Sequence, residues 1–206
     1  MAKKMLPEYV FDAAQLEGNP MTFPEVQTLL DGVTVGGHKI SDAQQILNLQ
    51  EAWQKAFAYA NKNTLVIDKI LYLDIHSSVA KEEAMEWGVF RSGSVGIAGT
   101  TSYSAPDASC LNDIFDKELP SILSIKNIEE RAIRLFLWGA YNQFFWDGNK
   151  RTSRIVTNIV LMHYDVGIFN IKAKDIVEFN TLMVDFYNTN ETTYIYPFLK
   201  EKCIVK

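Results

Sequence analysis

The sequence predicts an all-α fold carrying one short β-hairpin flap. Three observations predict it. Apolar residues return at three-and-four spacing through most of the chain. One stretch, GVFRSGSVGIAGTTSYSAPD (88–107), abandons that period for Gly, Ser and Thr. No internal repeat, low-complexity tract or linker divides the 206 residues, a length that suits one domain with a sizeable core.

The elements follow in order. PEVQTLLDG (24–32) has Pro at a helix start and Gly just past the end. TVGGHKI is a turn. SDAQQILNLQEAWQKAFAYA (41–60) opens on Ser41 as a cap and sets Ile46, Leu49, Trp53, Ala56 and Phe57 on one helical face. NTLVIDKILYLDIHSSVA (63–80) repeats the pattern with Leu65, Ile67, Ile70, Leu71 and Ile75. In 88–107, Val95 and Ile97 alternate around Gly96, which predicts a strand or hairpin inside a long loop. Loops of that length in compact domains tend to be functional. Helices resume over 107–118, 126–143, 149–165 and 173–187, with a last segment near 192–204.

Composition narrows the function classes. Hydrophobic residues make up 48% and charged residues 22%, as in a folded globular protein. A net charge of -5 argues against a general nucleic-acid binder, so any anion site has to be local. Cys110 and Cys203 lack metal-ligand spacing and read as reduced thiols of a cytosolic protein. The start, MAKKMLPEYV, has no apolar run behind its lysines, and no stretch approaches the ~20 apolar residues of a membrane span. The expectation is a cytoplasmic protein without membrane or nucleic-acid partners.

The chemistry concentrates in DGNKRTSR (147–154). Gly148 permits backbone conformations closed to other residues, and Asn149 tolerates a left-handed or capping role. A helix beginning there presents N–H groups with no internal partner, at the end of the dipole that favours anions. Arg151 and Arg154 share a helix face, and Lys150 adds a third cation. Asp147 beside a phosphate chain suits Mg²⁺, with substrate oxygens and waters completing the shell. Taken alone, Asp-Gly-Asn is better explained by an N-cap and a solvated basic face. The apolar run IVTNIVLMHY that follows favours a buried helix and thus a site.

FFWDGNKRTSR resembles the motif of the Fic (Fido) family, His-Pro-Phe-x-Asp/Glu-Gly-Asn-Gly/Lys-Arg with a further Arg three positions on. GVFRSGSVGIAG is similar to the family's flap, and LEGNPMTFPEVQTLLDGVTVGGH to its N-terminal inhibitory region. The resemblance implies a Fic-type helical bundle over residues 1–206, with an inhibitory region in 1–35 and the core in 63–190. It implies transfer of AMP from ATP, with Mg²⁺, to a hydroxyl of a target protein. Asp147 would hold the metal, Gly148, Asn149 and Lys150 would form the anion hole, and Arg151 and Arg154 would meet the phosphates. Phe145 would anchor the loop in the core. AAQLEGN (13–19) is similar to the inhibitory Ser/Thr-x-x-x-Glu-Gly/Asn. Glu17 would pair with Arg154 and block the γ-phosphate, with Ala13 at the Ser/Thr position. Val95, Gly96 and Ile97 would dock a target segment as an added strand. Self-association into a homo-oligomer stays open.

One position departs in a way that matters. The family's catalytic His is Gln143 here, and its Pro is Phe144. An amide cannot take a proton near neutral pH as an imidazole does. Losing a positioned base costs about 10²–10⁴ in rate. His38, His76 and His163 lie away from the motif and read as surface or core-satisfied imidazoles. The expectation is therefore an autoinhibited, base-impaired adenylyltransferase. The alternatives are a non-catalytic ATP-binding regulatory module and, behind it, transfer of another phosphate-containing group.

Overall fold

The computed structural model describes the backbone of residues 2–206 and the side chains from residue 4 onward. Nine α-helices occur among the described residues: α1 Leu6–Leu16, α2 Phe23–Leu30, α3 Ile40–Ala60, α4 Lys69–Val79, α5 Leu111–Leu123, α6 Ile128–Asn142, α7 Asn149–His163, α8 Ile176–Thr189 and α9 Ile195–Phe198. Two short strands, β1 Ile168–Phe169 and β2 Ile204–Val205, pair antiparallel, Ile168 opposite Val205. The expected all-α class holds.

The architecture is built around α7. Every residue from Arg151 to Leu161 is buried, Thr152, Ser153, Thr157 and Asn158 included. α6 packs along it, α3 and α4 cover another side, and α1 lies across α3. The approach of α6 is close because Gly139 has no side chain: a Cβ there would lie 2.3 Å from Ser153 Oγ. Asn158 ties α7 to β1, accepting from Phe169 N at 2.7 Å and donating to Phe169 O at 2.9 Å. α1 is fixed at its far side by buried Asp12, which accepts from Asn170 Nδ2 at 2.6 Å and from Ala173 N at 2.9 Å.

Three local expectations change. α3 begins at Ile40, ahead of the expected Ser41 cap, because Asp42 accepts the Lys39 N–H at 3.1 Å. The helix expected over 63–80 begins only at Lys69. Asp68 accepts from Leu71 N at 2.9 Å and starts it there, which leaves Ile70 74% exposed instead of core. The flap forms no β-ladder. Val95 and Ile97 are half-buried and Ser94, Gly96 and Ala98 exposed, the alternation of an extended chain. Among the described residues no segment pairs with it, and the β-structure sits at the β1–β2 pair instead.

Candidate functional site

The site forms where the chain turns from α6 into α7. Gln143 ends α6 in the left-handed region, φ 48 and ψ 56. Its amide is used at both ends: Nε2 donates to Ala140 O at 2.6 Å, and Oε1 accepts from Asn149 Nδ2 at 3.1 Å. Its carbonyl accepts from Arg91 Nε at 2.6 Å. Phe144 and Phe145 then enter the core. Asn149 braces the loop: Oδ1 accepts from Phe145 N, and Nδ2 donates to Phe145 O, both at 2.9 Å. The expected contribution of Asn149 to an anion hole thus coexists with a side chain committed to holding the turn.

Gly148 starts α7 at φ 73, and a Cβ there would lie 3.2 Å from Val79 Cγ1. Both facts favour glycine. Among the described residues, no hydrogen bond takes up the N–H of Asn149 or Lys150. They remain donors at a helix start. Asp147 accepts the Gly148 N–H at 2.5 Å and leaves its carboxylate side chain 60% exposed at the mouth. Behind it stands His76, fully buried, whose ring stacks on Phe145 at 3.6 Å. Its Nδ1 accepts from Gly88 N at 3.0 Å, so Nε2 is the protonated nitrogen and donates to Asp147 O at 3.0 Å. Burial pushes the His76 pKa down to about 4, against the opposing effect of that carbonyl.

The two arginines differ. Arg151 Nη1 lies 2.6 Å from Glu83 Oε2, and Nη2 lies 3.6 Å from Asp147 Oδ1. Its Nε is buried without a partner. Burial opposes its charge, but Glu17, Glu83 and Asp147 together outweigh that and hold its pKa above the usual value. Arg154 makes no ion pair, and its buried Nη2 has no partner. Burial lowers its pKa to about 10, with the Glu17 charge resisting. It stays cationic at neutral pH.

These residues surround a cavity of about 230 Å³. Gln143 and residues 146–151 form one side; Glu17, Gly96, Ile97 and Tyr187 complete the wall. Of the residues singled out for the site, Arg154 and Val95 lie outside this lining, as does Phe145, which is buried in the core. Glu17 ends α1 and faces the cavity, but no direct ion pair joins it to Arg154. The residue set suits an anion with a cation: unpaired guanidinium donors, free N–H groups and one open carboxylate. Among the described residues there is no cluster of three or more metal-ligating acidic, His or Cys side chains. A divalent ion here would need oxygens from a bound phosphate, since Asp147 and Glu17 are the two carboxylates of the lining. A larger cavity of about 580 Å³, lined by Tyr9, Phe57, Met162 and Ile168 among others, contains no motif residue.

Sequence reasoning missed four neighbours. Arg91 straps the flap to the motif, donating at 2.6 Å each to the carbonyls of Gln143, Gly93 and Pro106. His76, Glu83 and Tyr187 complete the surroundings; the Tyr187 hydroxyl is buried without a partner, and burial raises its pKa. Arg91, in a loop full of glycine and serine, was the only one with a local signal. His76 and Glu83 reach the motif only across 71 and 68 residues, at Asp147 and Arg151.

Comparison with known proteins bears on the family and the fold. Residues 66–161 match the family model of the Fic/DOC family. Proteins named protein adenylyltransferase Fic are similar: that of Aedes aegypti is 28% identical over 165 residues, and that of Culex quinquefasciatus 29% over 164. Each alignment covers 78% of this chain but only 33% of the relative, so the chain spans about a third of their length. Among solved structures, Fic-1 from C. elegans superposes with a TM-score of 0.81 at 20% identity, over 98% of this chain and 61% of that one. A Fic domain containing signaling protein from Bacteroides thetaiotaomicron gives 0.77 at 19% identity, over 96% and 81%. At such identities these superpositions speak to the fold.

Proposed function

We propose that this chain, whose residues 66–161 match the Fic/DOC family model, is a protein adenylyltransferase, held back by Glu17 and slowed by Gln143. The observation that carries the reading is the pair of buried guanidiniums with unpartnered nitrogens, Arg151 Nε and Arg154 Nη2, behind a glycine-started helix. A buried donor left unpaired is costly, so a fold that keeps two of them gains from an anionic ligand. In this reading ATP lays its phosphates along Gly148, Asn149 and Lys150 toward the arginines. Asp147 would hold Mg²⁺, which supplies charge neutralisation to the phosphates.

The reaction is a displacement at phosphorus. The target's hydroxyl oxygen bonds to the α-phosphorus of ATP, the bond from that phosphorus to the bridging oxygen breaks, and pyrophosphate leaves. The hydroxyl proton must go elsewhere. Gln143 has no capacity to take it, and its amide is already engaged at both ends. The proton passes to water, at a cost of about 10²–10⁴ in rate. The flap supports target docking: residues 94–97 carry no regular structure, Val95 and Ile97 alternate with exposed Ser94 and Gly96, and the N–H groups of Val95, Gly96 and Ile97 have no partner among the described residues. An added strand could pair with that edge.

The Glu17 brake acts through charge and volume. Its carboxylate faces the cavity and is felt by both arginines. The cavity, about 230 Å³, falls below the ~300 Å³ at which ligand pockets begin. A complete nucleotide needs Glu17 or the flap to move. The engaged Gln143 amide also favours a second reading, an ATP-binding regulatory module without transfer.

One experiment separates these. With labelled ATP, magnesium and candidate target proteins, Gln143→His should raise transfer about 10²–10⁴-fold over the parent, and Glu17→Gly combined with it should raise it further. Calorimetric binding of ATP without transfer by the double variant would favour the regulatory module. Neither binding nor transfer would overturn both.

A further inference from the structure

Arg151 has three carboxylates around it, and two of them line the cavity. Glu17 and Asp147 do, Asp147 with Oδ1 3.6 Å from Nη2; Glu83 does not. Yet Glu83 holds the guanidinium, with Oε2 at 2.6 Å from Nη1. Glu83 is itself held. Asn48 Nδ2 donates to its Oε1 at 2.8 Å, and Gln45 Nε2 to its Oε2 at 3.0 Å. Asn48 is 1% exposed and fixed in turn, donating to Lys81 O at 2.7 Å and accepting from Gln44 at 2.8 Å. The carboxylate thus has its donors in place before any ligand arrives.

Geometry then decides the role. Glu83 takes Nη1. Nε, buried and unpartnered, and Nη2, 3.6 Å from Asp147 Oδ1, form the other side of the planar fork. That side receives an oxyanion through two parallel N–H···O bonds. A carboxylate inside the cavity would compete with phosphate for the arginine. One outside it, holding the opposite nitrogen, orients the arginine for phosphate.

We propose that Glu83 is a positioning residue for the phosphate chain, fixing Arg151 from outside the cavity so that its unpartnered Nε and the adjacent Nη2 are presented to the anion beside Asp147. The inference rests on the nucleotide-binding reading of this site. Neutralising Glu83 lets the guanidinium rotate and weakens the nucleotide, although Glu83 never touches it.

The test is calorimetric titration of ATP with magnesium into the full chain carrying Glu17→Gly, so that the carboxylate proposed to block the phosphates is absent while Asp147 stays. Glu83→Gln should weaken binding about tenfold, the scale of one charge-assisted hydrogen bond. Arg151→Lys, which loses the fork, should weaken it comparably, and the double variant should lose less than a further twofold, because Glu83 acts through the fork. A purely structural Glu83 would lower the melting temperature and leave Kd unmoved. Binding by Glu83→Gln within twofold of its parent, or fully additive losses, would overturn the proposal. If Glu83→Gln fails to fold, Asn48→Ala keeps the ion pair and removes one support. It should weaken binding about threefold, and no weakening would overturn the proposal. Absence of binding by the Glu17→Gly chain itself would sink the nucleotide reading and this proposal with it. Binding there with an unmoved Glu83→Gln would sink this proposal alone.

Discussion

Arg151 and Arg154 stand three residues apart on one helix, 2% and 5% exposed, and live in opposite surroundings. Arg151 is met by Glu83 and Asp147, and the summed carboxylate charge overcomes its burial. Arg154 meets no carboxylate within ion-pair reach, and burial drags its pKa to about 10. The difference teaches that burial alone does not define a cation's role. A paired buried arginine contributes to holding the fold together, whereas an unpaired one stores an affinity that the fold does not use.

The sharpest way to break this comparison is stability. Arg151→Met leaves the Glu83 carboxylate, 13% exposed, without its cation, and should cost about 3–5 kcal/mol. Arg154→Met removes a buried charge with no partner and substitutes apolar atoms, so stability should rise by about 1 kcal/mol. Urea denaturation of both variants measures it, and equal losses would erase the distinction.

A third buried base sharpens the contrast, because it can shed its charge. His76 has a folded pKa near 4 against 6.5 in the unfolded chain. The folded value is the lower one, so on acidification the unfolded chain takes up the proton first. Its contribution is complete above about pH 6.5 and disappears as pH falls toward 4, to a total of about 3 kcal/mol. Stability curves of the parent and His76→Gln should converge over that window as pH falls. Parallel curves would show that His76 does not titrate with folding.

The smallest effect concerns the turn that carries both arginines. Gly148→Ala forces a side chain into φ 73 with its Cβ 3.2 Å from Val79 Cγ1. It should destabilise by about 1–2 kcal/mol, seen as a lowered melting temperature. No change would mean that the loop accommodates a side chain and that the start of α7 is not fixed by glycine.

Much of this was legible beforehand. The apolar period placed α3, α6, α7 and α8, since a helix core face repeats at a spacing that the chain displays directly. The glycine at 148 marked the left-handed turn, which few other residues adopt. The flap was legible as extended from Val95 and Ile97, but not as unpaired, because pairing needs a second strand that alternation cannot reveal. Ile70 fitted the helical period and still faces solvent, because Asp68 set where α4 begins.

The sequence by itself determined a helical protein with a glycine-led cluster of cations at the head of an apolar helix, because periodicity and residue chemistry are local properties. Tertiary structure decided which arginine is paired, that Glu17 faces the cavity without touching Arg154, and that Gln143 spends its amide on Ala140 and Asn149. Those outcomes depend on distances between residues far apart in the chain, and charge interactions weaken within a few ångströms in ways that only the packed molecule sets.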